Sequence, residues 1–349
     1  MLVIKNVVLE ELAKSIKKEF GDVSKLAIVA DGNVAVLYGE SLQKELVALG
    51  LEVELLTFAA GEENKNLITL EELAAELLNR NFDRNSLIVA LGGGVTGDLA
   101  GFLASIYMRG VKFVQVPTSL LAMVDASIGG KTGVDTKEGK NLLGTFYQAE
   151  AIYMVPEFLQ TLPKVELVSG LAEVVKHGLI KDIALLDYLK NNREAILAGE
   201  ILVLKELVTM AAAVKLEIVA MDEKEHGVRK YLNVGHTVGH ALEHLSGYKI
   251  KHGEAVSLGI VVESMISKEL GYLSETDFAE IVKILELCEL PITLNAKFTV
   301  EAMWQVMQFD KKNLDGAVIF ALVEKLGQAV KIAPIDQSLF TKIWQQFYA

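Results

Sequence analysis

Three histidines in LNVGHTVGHALEH (232–244), His236, His240 and His244, stand at successive steps of four. On a helix each such step advances about 40°, so the three imidazoles share one face, a turn apart. Rings in that register can bind one metal ion or pair a ligand with a proton carrier, and His252 in KHGEA adds a candidate just beyond a short loop. Gly235 and Gly239 beside them are expected to clear space around the rings. The segment is not H-E-x-x-H, so a zinc-protease reading lacks its general base and a carboxylate ligand must come from elsewhere. Glu173 in LAEVVKHG, with Lys176 three residues on and on the same helix face, is one source; Glu243 and Glu254 compete, and spacing alone does not choose.

A second chemistry is written in ALGGGVTGDLAGFLAS (90–105), where glycines crowd the exit of an expected strand and the entrance of a helix. Backbone N–H groups there can approach a phosphate, and the helix N-terminus favours its charge. Gly92, Gly94 and Gly97 satisfy G-x-G-x-x-G, yet the next strand ends in VPTS rather than an acid. An acid does close the first expected strand, Asp31 in VADGNV, where it could hold a dinucleotide ribose in an order unlike a standard Rossmann unit. A third signal lies between Arg109 and Asn141: Lys131 follows Gly129-Gly130, and Lys140-Asn141 follows Gly139. Glycine beside lysine suits a phosphate or carboxylate site. The Walker spacing G-x-x-x-x-G-K-[ST] is absent, which argues against a nucleotide triphosphatase.

The elements that must position these residues follow from the hydrophobic pattern. At 349 residues, 51% of them hydrophobic, the chain is long enough for two domains. KLAIVA (25–30), LEVELL (51–56), SLIVAL (86–91) and VKFVQV (111–116) read as strands alternating with helices such as LEELAAELLNR (70–80), a pattern of parallel α/β sheet. Beyond Pro156 the runs become helix-length, as at 168–182, 201–221 and 254–271, with Gly178, Gly271 and Gly316 as stop signals. Charges at Lys205, Glu206, Lys215 and Glu217 interrupt the run 201–221 and make it a buried helix rather than a membrane span. A net charge of −12 opposes binding to nucleic acid or anionic membrane, so clustered lysines have a local purpose. The single cysteine, Cys288, forms no internal disulfide, and the opening MLVIKNVVLEEL carries early charges without an export pattern; the cytoplasm is the expected compartment.

Taken together, GGGVTGDLAGFLAS, VPTSLLAMVDASIGGKTGVD, GKNLLGTF, GLAEVVKHGLI, DEKEHGVRKYLNVGHTVGHALE and KHGEAVSLG resemble, in order and at matching spacing, the signatures of the 3-dehydroquinate synthase family of sugar phosphate cyclases. The resemblance implies an α/β fold: a Rossmann-like parallel-sheet domain for NAD over 1–155, then an all-helical domain for metal and substrate over 156–349. It also implies a divalent metal, zinc or cobalt, and a homodimer. The implied reaction converts 3-deoxy-D-arabino-heptulosonate 7-phosphate to 3-dehydroquinate and phosphate, through transient oxidation by NAD, β-elimination, reduction and intramolecular aldol closure.

Carried over residue by residue, the family pattern puts Glu173, His236 and His252 on the metal, although spacing alone would pair His236 with His240. His240 becomes a catalytic histidine free of metal, and Glu225 an acid that orients it. Asp125, Lys131, Asn141, Lys176, Lys215, Arg229 and Asn233 match positions that hold the substrate. Arg109 matches an arginine lent to the partner's phosphate site, and Lys311 or Lys312 a C-terminal lysine. NAD contacts are implied for Asp31, Asn33, Glu62, Lys65, Gly93, Gly94, Asp98, Thr118, Ser119, Lys140, Phe158 and Thr161, with Asp125 and Lys131 at the same cofactor. His244 has no implied task. Three positions depart from the pattern: Ser119 for a threonine, His177 for a tyrosine and Val165 for an arginine. A metal- and NAD-dependent polyol dehydrogenase is the nearest rival, but GGKTGVD and GKN argue against it because a simple alcohol needs no phosphate-holding lysines. Cyclases that make inososes or valiolones are closer, and the segments they usually alter are intact here. A structural zinc module leaves the glycine turn and the lysines unexplained.

Overall fold

The four β-branched runs become four neighbouring strands of one parallel sheet, with LEVELL at its edge. The computed structural model describes residues 3–137, 139–308 and 318–348, and the chain divides into two units, Met1–Leu162 and Pro163–Ala349. The first unit runs β1 (Ile4–Asn6), α1 (Leu12–Phe20), β2 (Leu26–Asp31), then a turn α2 (Gly32–Val34) that passes through a π-helical turn at Ala35–Gly39 into α3 (Glu40–Ala48). It continues with β3 (Val53–Phe58), α4 (Leu67–Asn79), β4 (Leu87–Gly92), α5 (Gly94–Ile106), β5 (Lys112–Pro117), β6 (Lys131–Thr136), β7 (Gly139–Phe146) and β8 (Ala151–Met154). The sheet order is β1-β8-β5-β4-β2-β3, with every pair parallel. β4 and β8 are buried along their whole length, which is why they read as continuous apolar runs rather than alternating ones. β1 lies at the sheet edge, so Asp31 closes the second strand and not the first. The segment after Arg109 adds an antiparallel hairpin, β6–β7, where the sequence showed only mixed strand, glycine and charge.

The second unit holds α6 (Lys164–Ile180), α7 (Ile183–Leu197), α8 (Ile201–Met221), α9 (His236–Leu245), α10 (His252–Glu269), α11 (Glu275–Leu287) and α12 (Val300–Gln308). It ends in β9 (Val318–Lys325), β10 (Ala329–Ile335) and α13 (Gln337–Phe347). The expectation of an all-helical domain therefore needs one correction, since β9 and β10 pair as an antiparallel hairpin. Val318, Phe320 and Leu322 alternate inward from β9 and pack with Trp304, Phe340 and Trp344 in the core of this unit. Gly178 is also not a stop: it lies inside α6, where a Cβ would overlap the buried side chain of Leu186 on α7. Gly271, by contrast, takes φ +73° just after α10 and ends it. Gly316, Lys311 and Lys312 lie outside the described residues. Among the described residues no helix is long and apolar enough to cross a membrane.

Helices α9 and α10 approach each other where glycine faces glycine. A Cβ on Gly259 would overlap the carbonyl oxygen of Gly235, and one on Gly239 would stand 3.1 Å from the carbonyl oxygen of Ala255. The space these glycines clear is thus filled by a helix rather than left around the imidazoles. Replacing a mid-helix glycine by alanine ordinarily gains about 1 kcal/mol of helix propensity. At Gly259 the clash is with backbone and has to move a helix, a cost of about 1–3 kcal/mol or more. Gly259→Ala is expected to destabilise the protein on balance, read as a lowered midpoint in thermal unfolding; a raised midpoint would show that the two helices can separate freely.

Candidate active site

Almost every residue of α6 from Leu167 onward is buried, and its inner face carries Glu173 and Lys176 one helical step apart. The Glu173 side chain has no exposed surface, and its Oε2 is paired with Lys176 Nζ. Its Oε1 lies 3.4 Å from Nε2 of His236, the first residue of α9, and 3.3 Å from Nε2 of His252, the first residue of α10. Donor atoms of these three residues fall within 4.8 Å of one another. That cluster includes Glu173 and neither Glu243 nor Glu254. Glu243 sits on the other ring nitrogen of His252, Oε2 to Nδ1 3.4 Å, and Glu254 caps α10 by accepting from the Lys251 amide at 3.0 Å.

His236 shares that donor cluster with His252 and not with His240, its neighbour along the helix. His240 remains close, its ring centroid 5.2 Å from that of His236, but it is exposed and outside the donor cluster. His244 is exposed and meets Tyr248 edge-on at 6.3 Å, a contact at the end of α9. The two inner imidazoles differ in charge. Burial holds His236 well below the usual histidine range, and Glu173 opposes this without overcoming it. Its Nδ1 faces the Val234 carbonyl at 3.1 Å, which fixes a neutral ring with the Nε2 lone pair toward Glu173. Burial also works against a charge on His252, but hydrogen bonds to Glu173 and Glu243 outweigh it and raise its pKa to about 10.

Among the described residues of this unit, Lys and Arg side chains are buried at Lys176, Lys215 on α8, and Arg229 in a short helical turn, Val228–Asn233. Asn233 donates from Nδ2 to Glu225 Oε1 at 2.7 Å, and Glu225 itself holds φ +62°. The loop that presents them is organised by Asp222, which the sequence reading passed over. Its carboxylate accepts from the amides of His226 at 3.0 Å, Gly227 at 2.6 Å and Arg229 at 3.1 Å. The signal was available, an acid at the end of α8 followed closely by glycine. Desolvation pushes the Asp222 pKa up, but the backbone bonds outweigh it and hold the carboxyl below the usual range. A folded-state pKa below the unfolded one gives stability that is present above the unfolded value, about 3.9, and is lost as pH falls through the folded value. Amide protection at Gly227 and Arg229 is expected at neutral pH, to decline in acid below about pH 4, and to be missing at every pH in Asp222→Ala. Protection that survives in the variant would remove Asp222 from this role.

In the first unit β4 runs into α5 through Gly93, and α5 starts without a side-chain cap. Gly92 is required by its neighbours, since a Cβ there would overlap Thr96, and at Gly97 one would stand 2.7 Å from Gln115 Oε1. Gly93 and Gly94 would meet nothing closer than 3.4 Å, so the fold itself leaves a bare backbone approach at the helix N-terminus. Ser119 lies against Gly93, and the Thr118 amide donates to the Gly92 carbonyl at 2.9 Å. Asp31 accepts from the Asn33 and Val34 amides, both on Oδ1. Lys65 is only 4% exposed and donates to Asp98 at 2.5 Å and to Asn141 Oδ1 at 2.6 Å. Burial lowers the Lys65 pKa, but Asp98, Glu62 and Asp135 outweigh it and keep the ammonium charged. Lys140 reaches Glu62 at 3.3 Å. Thr161 shares a hydrogen bond with Tyr38 at 2.5 Å, and Phe158 is buried against the Tyr38 ring. Asp125 sits in a π-helical turn, Ala122–Ala126, while Lys131 is exposed at the start of β6. Arg109 is exposed in a left-handed stretch that includes Met108 and Gly110.

A family model described as 3-dehydroquinate synthase N-terminal matches residues 55–169, and one described as 3-dehydroquinate synthase C-terminal matches residues 170–313. The 3-dehydroquinate synthase of Thermodesulfovibrio yellowstonii is 40% identical over 310 residues, covering 88% of this chain and 86% of that protein. That of Acidithiobacillus ferrooxidans is 43% identical over 323 residues, 92% of this chain and 88% of that protein. Among solved structures, ValA, the 2-epi-5-epi-valiolone synthase of Streptomyces hygroscopicus solved with NAD+ and Zn2+ bound, superposes with a TM-score of 0.90 at 28% identity, over 100% of this chain and 96% of that one. By the extent of these matches, the chain belongs to the 3-dehydroquinate synthase family.

Proposed function

We infer that this protein converts 3-deoxy-D-arabino-heptulosonate 7-phosphate to 3-dehydroquinate and phosphate, the second step of the shikimate pathway, as a carbon–oxygen lyase. The observation that carries the reading is the cluster of one fully buried carboxylate and two partly buried imidazoles, Glu173, His236 and His252, in a unit that also buries Lys176, Lys215 and Arg229. Two nitrogens and one oxygen suit zinc or cobalt and leave a coordination position for a substrate oxygen. The first unit, with its bare Gly93–Gly94 turn, Asp31 for a ribose and Asn33, Glu62, Asp98, Thr118, Ser119, Lys140, Phe158 and Thr161 around it, holds NAD. When bound, NAD accepts and returns a hydride while the divalent ion polarises a substrate hydroxyl.

The chain's own groups do the rest. His240, exposed beside His236, takes and returns the hydroxyl proton, with Glu225 orienting it. The buried cations Lys176, Lys215 and Arg229, with Asn233, hold the substrate's charged and hydroxyl groups and offset the charge that develops as phosphate leaves, while Asp125, Lys131 and Asn141 of the first unit match further substrate positions of the family pattern. Lys65 supports this from within the protein by fixing Asn141 and Asp98. Two copies pair through the first unit, which exposes Leu142, Leu143 and Phe146 on β7 and Ile106 and Met108 beside Arg109, and Arg109 serves the partner's phosphate site. A free, buried Cys288 suits the reducing cytoplasm.

Purified protein given NAD, zinc or cobalt and the heptulosonate 7-phosphate is expected to release phosphate with no net NADH, followed by phosphate assay and absorbance. Net NADH without phosphate would move the chain to the polyol dehydrogenases, and neither signal from metal-loaded protein would point to a different sugar phosphate. His240→Ala is expected to lower kcat by about 10²–10⁴-fold while zinc and NAD affinities stay unchanged. Loss of zinc binding in that variant would contradict the role given to His240.

A further inference from the structure

Glu263 is a buried acid with no part in the chemistry above. It lies on α10, in the apolar run GIVVESMIS, and is 1% exposed. Both carboxylate oxygens turn to the start of α9: Oε2 accepts from the Gly235 amide at 2.6 Å and Oε1 from the Val238 amide at 3.2 Å. The fold explains why this cap comes from another helix. A helix N-cap is usually a Ser, Thr, Asp or Asn whose own oxygen accepts from the first turn. Here the N-cap is Gly235, with φ +80°, and a Cβ on it would stand 2.7 Å from Ile260 Cγ1 and 2.8 Å from the Val256 carbonyl oxygen. No side chain fits at the cap, so the amides at the head of α9 would be buried without acceptors unless a neighbour supplied them. Glu263 does so, one turn along α10 from Gly259, the residue that faces the Gly235 carbonyl.

We propose that Glu263 is a positioning residue for the metal centre: by holding the Gly235 and Val238 amides from α10, it fixes the first turn of α9 and so the placement of His236. The proposal rests on the reading of Glu173, His236 and His252 as metal ligands. His236 and Thr237 lie between the two bonded amides, and the His236 Nε2 must meet a point shared with Glu173 from α6 and His252 from α10. Because Glu263 and His252 are on the same helix, the bonds tie two of the three proposed ligands to one rigid element. Groups that support a metal ligand from outside typically change affinity ten- to hundredfold when removed.

Glu263→Gln tests this, because glutamine keeps the volume but offers one oxygen and an NH2, so one of the two amides loses its acceptor. The measurement is cobalt affinity of the metal-free protein, followed by the visible absorption of the bound ion, with far-ultraviolet circular dichroism to establish folding. The expected result is about a ten- to hundredfold weaker affinity and an altered cobalt spectrum in a folded protein. Asp182→Ala, which removes an ordinary cap from the Ala184 amide on α7, should lower thermal stability and leave cobalt affinity unchanged. Wild-type affinity and spectrum in folded Glu263→Gln would overturn the proposal. Should that variant not fold, amide exchange in the wild-type metal-free protein decides: Gly235 and Val238 protected before metal is added supports the proposal, and fast exchange there overturns it. Wild-type protein that binds no cobalt would overturn the metal-site reading as well, which separates the two failures.

Discussion

A carboxylate with no exposed surface, that of Glu173, is the constraint around which the second unit is arranged. Burying a lone charge costs several kcal/mol, so the fold must bring compensation to it. One partner is local, Lys176 a helical step away on α6. The others are distant in sequence, His236 and His252, and each must arrive as the first residue of its own helix. Three helices therefore converge on one carboxyl group. They can do so only if their backbones come close, which is why α9 and α10 meet at Gly235, Gly239 and Gly259 and why Gly253 lies against the backbone of Ser169 on α6.

The close approach of α9 and α10 removes ordinary capping, and acids from elsewhere take its place. Asp222 gathers three amides of the loop that carries Glu225 and Arg229, and Glu263 gathers two at the head of α9. In each case a carboxylate on a regular helix or at its end holds backbone amides beside side chains proposed to act on metal or substrate. The first unit uses the inverse arrangement. There a buried cation, Lys65, ties Asp98 of α5 to Asn141 of β7, while its carbonyl accepts from the Asp135 amide at 2.8 Å. A buried ammonium among Asp98, Glu62 and Asp135 keeps its charge, while burial pushes the Asp98 and Asp135 carboxyls above their usual range.

Much of the sheet was readable because strands buried on both faces are continuous apolar runs, as in β2, β4 and β5, while the edge strand β3 is only partly buried yet still falls on an apolar run. The hairpins were not. β6–β7 is rich in glycine and polar residues, and β7 is largely exposed, so no run marks it. β9–β10 does alternate around a turn at Gly327, φ +68°, but Pro334 and the apolar surroundings hide the period. At the site, residue types and spacing found the histidines and the glycine turn. They could not choose the carboxylate, because Glu173 reaches the imidazoles only through the packing of α6 against α10; the family resemblance supplied that choice, and the three side chains lie with donor atoms within 4.8 Å of one another. Glu263 went unnoticed although a lone acid inside an apolar helical run is a visible signal of a buried charge.

The central claim is that Glu173, His236 and His252 bind a metal together while His240 stays free of it. X-ray absorption of the zinc-loaded protein tests this most directly, since imidazole scattering counts the histidines bound. The account predicts two imidazole nitrogens at about 2.0–2.1 Å with oxygen donors completing the shell. Three imidazoles would contradict it, since a further histidine, His240 or the buried His177, would then be a ligand.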